Sequence, residues 1–218
     1  MTQIIWPGSV SKAREYQRQL AKKVRLVPLY KSIKIIAGID VAFPQRGTVT
    51  RAAIVLLNYP SLEMIQKVVW EQPTHLPYIP GVLSFREGPA ILNALNELTI
   101  EPDILMFDGQ GITHPMGLGI ASHIGVLVNK PTIGIAKSVL VGDFNEPGLD
   151  KGNTEPLFIK AKCVAYVLRS RAKVKPIIVA PGHLITKEQA LQLTTSCLSR
   201  YRLPEPTRLA DKLSKNQL

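Results

Sequence analysis

The sequence predicts an α/β protein built on a mixed sheet, and three observations carry that prediction. The first is a set of candidate strands joined by short connections: Lys34–Phe43 (KIIAGIDVAF), Arg51–Asn58 (RAAIVLLN) and Glu63–Trp70 (EMIQKVVW). The turn signal Tyr59-Pro60-Ser61 divides the last two, so the three should pair antiparallel as a meander. The second is an apolar run, Ile104 to Phe107, that stops abruptly at Asp108 and Gly109-Gln110-Gly111. The third is another apolar run, Thr132 to Ala136, ending in Lys137, with a helical stretch from Leu118 to Val128 before it. Together the last two form a βαβ unit. It brings Asp108, the loop residue His114 and Lys137 to neighbouring strand ends, where ligands bind in open α/β sheets. The bland alternative is a βαβ unit with a polar loop. Against it, the acid, the imidazole and the cation all fall at strand ends rather than on helix surfaces.

The remaining elements follow in order. Ile4, Ile5 and Trp6 form an apolar anchor before the turn Pro7-Gly8. Ser9 or Ser11 then caps a helix running to about Leu20–Val24, basic toward its end as the helix dipole favours. Its Lys12, Arg14, Arg18, Lys22, Lys23 and Arg25 either face phosphates or form an ordinary solvated face. Asp40 is the odd residue of the first strand: a carboxylate between Ile39 and Val41 is costly in a sheet centre unless it is paired or holds metal. The Pro-rich segment from Glu71 to Pro89 is irregular and holds Tyr78 between Pro77 and Ile79-Pro80. A stiff, aromatic-tipped loop of this kind suits insertion into a base stack; a buried tyrosine in a Pro-rich connection is the alternative. Phe85-Arg86-Glu87-Gly88-Pro89 opens a helix to about Leu98, with Pro89 near its first turn and Glu87 at its positive end. After Lys137 comes an exposed loop, 138–153. LFIKAKCVAYVLR and KPIIVAPG then read as one strand each, the first with Lys160, Lys162 and Arg169 on a basic face. KEQALQLTTSCLSRYR is an amphipathic helix with Leu191, Leu193 and Leu198 inward, and Thr186 and Ser196 do not look catalytic. A short basic helix ends the chain.

The 218 residues suit one domain. Lys and Arg number 27 against 16 Asp and Glu, a net charge of +11. That excess implies a polyanionic partner, most simply nucleic acid, unless the charge serves solubility alone. Cys163 and Cys197 have no metal-ligand spacing, and free buried thiols are expected. No stretch reaches the ~18 apolar residues of a membrane span, and a soluble, cytoplasmic monomer is expected. Hydrolase triads and the P-loop are absent from the sequence. What remains is three acids at marked positions, Asp40, Glu87 and Asp108. Clustered carboxylates beside a phosphate-binding surface typically hold Mg²⁺. Lys137 would then neutralise charge in the transition state, and His114 would contact phosphate or move a proton.

Five segments also resemble endonuclease V: Gly38–Phe43, Pro77–Pro89, Asp108–Leu127, Pro131–Ser138 and Arg202–Asp211. They span nearly the whole chain in order. The resemblance implies an RNase H-like fold, a mixed five-stranded sheet with its first three strands antiparallel and helices on both faces. It implies a repair endonuclease that recognises deoxyinosine in DNA and cuts the second phosphodiester bond on its 3′ side, leaving 3′-hydroxyl and 5′-phosphate ends. Mg²⁺ is the implied cofactor, with Mn²⁺ able to substitute. By the same resemblance Asp40 and Asp108 hold metal, with Glu87 as the third acid, directly or through water. His114 and Lys137 serve the scissile phosphate. Tyr78 tips a strand-separating wedge with Pro77, Ile79 and Pro80, and Arg86 contacts DNA. The flipped base would sit in a largely backbone pocket of Gly81-Val82-Leu83, Gly109-Gln110-Gly111 and Gly119-Ile120. Two departures stand out: Met116-Gly117 replace a pair of arginines, and Asp211 stands where some members carry histidine, a position compatible with a fourth acid near the metal. An inosine-specific endoribonuclease and a non-cleaving inosine-binding protein are the alternative readings.

Overall fold

The computed structural model describes residues 6, 7 and 9–218; Ile4, Ile5 and Gly8 of the apolar anchor lie outside them. The elements are α1 (Val10–Ala21), β1 (Ile35–Ala42), β2 (Val49–Asn58), β3 (Met64–Pro73), α2 (Leu83–Asn96), β4 (Ile104–Asp108), α3 (Ile120–Val128) and β5 (Thr132–Ala136). There follow β6 (Thr154–Ile159), β7 (Lys162–Leu168), β8 (Ile177–His183), α4 (Lys187–Ser196) and α5 (Glu205–Ser214). The strands form one sheet of eight in the order β3-β2-β1-β4-β5-β8-β7-β6. Its first five positions are the mixed sheet the sequence predicts: β1, β2 and β3 antiparallel, then β1, β4 and β5 parallel. The count of five falls short because β8, β7 and β6 add on antiparallel beyond β5.

Period-two alternation explains how the strands bury both faces. Leu105 and Phe107 of β4 join Ala37, Ile39 and Ile54 under α2 and α3. Ile104 and Met106 join Ile133, Ile135 and Val179 under α4 on the opposite side. α5 covers Ala53 and Val55 on the face away from α2 and α3. It lies directly on the β1 backbone at Gly38, where a Cβ would come 1.9 Å from the Pro206 carbonyl oxygen. Only glycine admits that approach. α1 packs beside the loop preceding α2, with Ala13, Val82 and Phe85 in one cluster. Trp6 meets Phe85 edge-on at 6.4 Å.

The structure corrects four local expectations. The segment from Leu157 to Arg169 is a hairpin, turning at Lys160 and Ala161 with φ of 50° and 60°. Neither residue is among the usual turn formers, so the alternation reads through the turn. Arg169 is 4% exposed rather than solvated, and donates to the carbonyls of Gly148, Val174 and Pro147 and to Glu146. α2 begins at Leu83, ahead of Phe85, which leaves Pro89 inside the helix and Glu87 in its second turn. Val82 caps that helix without a side-chain hydrogen bond, so no polar cap residue marks its start. Cys197 is buried as expected, but Cys163, next to the exposed β6–β7 turn, is half-buried; both thiols are free. Thr186 is the N-cap of α4 and Ser196 bonds back to the Leu193 carbonyl, both structural tasks. Among the described residues no helix is long and apolar enough to cross a membrane.

Candidate active site

Asp40 reaches the site from β1, whose neighbours β2 and β4 fix its register at Asp40↔Ala53 and Ile39↔Phe107. Asp108 arrives at the end of β4, opposite Ile135 of β5. Asp211 comes from α5. One carboxylate oxygen from each of the three lies within 4.8 Å of the others. Oxygens on opposite sides of an octahedral Mg²⁺ shell are about 4.2 Å apart, twice the ~2.1 Å ligand distance. The set therefore spans the size of one hard cation. Asp108 Oδ2 is buried and ion-paired with the Lys137 ammonium at 2.5 Å. Three carboxylates converging within such a span are the hard-oxygen donor chemistry a divalent cation requires.

Charge strain is visible in every acid. Burial, then the neighbouring Asp108, push the Asp40 carboxyl up to about 6, and a hydrogen bond from Ser214 Oγ at 2.5 Å opposes the shift. Burial also raises Asp108, with Lys137 opposing. Asp211 goes the other way: burial would raise it, but Lys215 and Lys137 hold it below the ordinary carboxylate range. Lys215 approaches both Asp211 oxygens at 2.8 Å from one turn along α5. Lys137 reaches Asp211 at 3.1 Å and is raised by its two acids despite its burial. Glu87 stands outside the tight set. It is half-buried, and burial followed by Asp40 and Asp108 push its carboxyl up to about 8. Glu87 is therefore the protonated acid of the group at neutral pH.

Beside the acids lies a pocket of about 250 Å³. Asp108 and Glu87 line it together with Tyr78, Pro80, Gly81 and Leu83, and Gly109, Gln110, Gly119 and Ile120 belong to the same lining. Val82 and Gly111 do not line it: Val82 packs with Ala13 and Phe85, and Gly111 backs onto the Pro181 carbonyl. Tyr78 is 66% exposed, so it is not a core residue. Pro77 is exposed as well, but Ile79 packs into the cluster around Ala13 and anchors the loop. Arg86 is docked inward, its guanidinium 3.9 Å above the Phe43 ring and bonded to the Gly47 carbonyl. His114 is buried at the pocket edge, and its Nδ1 accepts from Met116 N at 3.1 Å. Burial holds its imidazole below the ordinary value, against a hydrogen bond to the Gly81 backbone. Met116 itself is 37% exposed and, like Gly117, offers no cation.

The profile of endonuclease V matches residues 18–212. The chain belongs to the endonuclease V family. The endonuclease V of Rippkaea orientalis is 49% identical over 211 residues, covering 97% of this chain and 92% of that protein. A solved endonuclease V from Streptomyces avermitilis superposes with a TM-score of 0.90 at 36% identity, covering 97% of this chain and 93% of that one. The Ciona intestinalis endonuclease V gives a TM-score of 0.83 at 28% identity, covering 95% of this chain and 97% of that one. Its structure is a complex with a 24mer DNA containing an inosine followed by a ribo-adenosine. This endonuclease V family member is accordingly a nuclease by kinship, with an acidic group able to hold a metal.

Several site residues escaped the sequence. Asp211 stood as a family departure compatible with a further acid near the metal, without an assigned role, and it completes the acidic set; its spacing from Lys215, one helical turn on, is the signal that could have found the pair. Ser214 and Arg202 gave none. Arg202 donates to the Lys137 carbonyl at 2.7 Å and holds that lysine's backbone. Ser84 and Leu140 enter the pocket wall, and His123 backs Ser84 at 2.9 Å, kept neutral by burial that pushes it down to about 3.

Proposed function

We propose that this protein is a deoxyinosine-directed DNA endonuclease that hydrolyses the second phosphodiester bond 3′ to the lesion, leaving 3′-hydroxyl and 5′-phosphate ends. The observation that carries the reading is the juxtaposition of the Asp40–Asp108–Asp211 set and Lys137 with a base-sized pocket whose rim bears the exposed Tyr78. Asp40, Asp108 and Asp211 would hold Mg²⁺, or Mn²⁺ in its place, with Glu87 beside them. When bound, such a cation activates water and stabilises charge on the phosphate oxygens. The chain's own groups supply the rest. Lys137, fixed by Arg202 through its backbone, presents an ammonium where negative charge grows at the scissile phosphate. Glu87, with its raised carboxyl, holds a proton near neutral pH and can give it up at Oε. His114 stands beside them at the pocket wall, with Nδ1 accepting from Met116 N and the ring bonded to the Gly81 backbone, and would move to the phosphate only by giving up one of these bonds. Tyr78 would fill the gap left by a flipped base, and Gly81, Gly109 and Gly119 would let the base lie against backbone.

Cleavage of matched DNA and RNA strands, each carrying one inosine, with Mg²⁺ and then with EDTA, tests this reading. The expected result is a DNA nick one nucleotide beyond the inosine that EDTA abolishes. Preferential RNA cutting would assign the protein as an inosine endoribonuclease, an arm motivated by the ribo-adenosine in the Ciona complex. Tight binding without any nick in Mg²⁺ or Mn²⁺ would sink the nuclease reading.

A further inference from the structure

Much of the pocket wall comes from two segments far apart in sequence, the one that turns at Gly81 into α2 and the one that runs from Asp108 to Ile120 at the start of α3, with Leu140 added from the loop after β5. A side chain from a third element joins them. Gln17 lies on the face of α1 that also buries Ala13 and Leu20, and it is 1% exposed. Its Nε2 donates to the Gly81 carbonyl at 2.9 Å and to the Leu118 carbonyl at 3.4 Å. Both partners are acceptors, so they fix which end of the amide faces them. Among the described residues Gln17 Oε1 is buried with no hydrogen-bond partner.

That orphaned oxygen weighs against a purely structural role. An unpaired buried acceptor lowers stability, and an apolar side chain of similar size between Ala13 and Leu20 would avoid the loss. What only the amide supplies is a fixed spacing between Gly81 and Leu118. Gly81 needs it, since the loop turns there at φ +80°. Beyond Gln17 the loop is tied by the apolar contacts of Ile79 and Val82 with α1 and Phe85 and by the hydrogen bond between His114 and the Gly81 backbone.

We infer that Gln17 is a positioning residue for base selection: it sets the width of the pocket by tying its two walls together. The inference rests on the reading of this pocket as the base site. Gln17 acts through the Gly81 and Leu118 backbones and belongs to neither the acidic set nor the wedge.

Gln17→Leu removes both donors and the orphaned oxygen; Gln17→Met, unbranched and of similar length, guards against a misfit of the leucine. Melting temperature, kcat and KM on an inosine strand, and the cleavage ratio of inosine over adenine in the same strand are measured for each. The expected result is an unchanged or higher melting temperature, kcat within about threefold, and KM and the inosine-to-adenine ratio each worsened about tenfold or more, as for a misplacement transmitted from outside the chemistry. A folded variant with wild-type KM and ratio overturns the inference. So does a fall in melting temperature with both kinetic values intact, or the failure of both variants to fold, since either marks Gln17 as a stability residue. A wild-type protein that cuts inosine and adenine strands alike instead brings down the base-site reading itself, and the positioning role with it.

Discussion

Two parts of the candidate site, an acid end and a wedge end, are built by opposite means. At the acid end, Asp40 and Asp108 ride on strands paired on both sides, and their carboxyls are crowded, desolvated and pushed upward. At the wedge end, Tyr78 stands on an irregular loop, two-thirds exposed. One end stores electrostatic strain in a rigid frame; the other places an apolar ring in water on a frame stiffened by Pro77 and Pro80. Losses at the first should therefore appear in turnover, and losses at the second in binding. Stability should respond at the acid end alone, because removing a like charge relieves strain while removing an exposed ring relieves nothing.

The largest effect should come from the acid end. Asp108→Ala should cut nicking by on the order of a thousandfold or more, as expected for a group needed only in the transition state, while inosine-strand binding persists. The metal-free variant should melt no lower than wild type, because one of three crowded carboxylates is gone. Unchanged turnover would remove Asp108 from the chemistry.

Next in size is Lys137→Ala. A kcat loss of about a hundredfold is expected with affinity little changed, since its charge is worth most when phosphate charge develops. Unlike the aspartate change, it should lower the melting temperature in EDTA, because Asp108 and Asp211 lose a cation. Equal losses in affinity and kcat would make it a binding residue.

The wedge end should give a middling effect of a different kind. Tyr78→Ala should weaken inosine-strand binding by ~1–3 kcal/mol with melting unchanged. A buried ring would instead cost about 3–5 kcal/mol of stability. A large fall in melting temperature with unaltered affinity would erase the contrast between the two ends.

The smallest effect is on pH. Asp40 and Glu87 titrate in the folded protein at about 6 and about 8, above the ordinary values near 4 of an unfolded chain. Between those limits the folded state holds more protons, so stability must fall as pH rises. In EDTA, the melting temperature should drop by roughly several degrees from pH 5.5 to 8.5. Glu87→Gln should flatten the slope, and Mg²⁺ at pH 8.5 should restore much of the loss by binding the folded state. A metal-free profile that rises over this range would contradict the crowding.

Much of this was legible because the signals were local. The run from Ile104 to Asp108 can bury both faces only in a sheet interior, and an acid at its end can only point to the mouth. Asp40 betrayed itself as a charge between two apolar residues. The three added strands were harder: the Lys160-Ala161 turn lacks glycine and asparagine, so two strands read as one. Asp211 was obscured for another reason. Its partners Asp40 and Asp108 come from far earlier in the chain, and its own helix shows an ordinary amphipathic pattern. Gln17 looked like one more polar residue in a basic helix, and only the packing of α1 reveals that it faces inward.

The contact between α5 and Gly38 has a consequence for how the acidic corner can fail. Pro206 rests on bare β1 backbone two residues before Asp40, and the same rigid helix presents Asp211 little more than a turn later. The triangle of carboxylates is thus gauged by the thickness of a peptide rather than by any side chain. A single methyl at position 38 would act as a shim, lifting the Pro206 end by roughly 1.5 Å to reach a tolerable contact. The tilt would travel along the helix to Asp211 and Ser214 and open the triangle. All three acids and both lysines would still be there, correctly ionisable and correctly named. The corner would nonetheless be the wrong size for its ion.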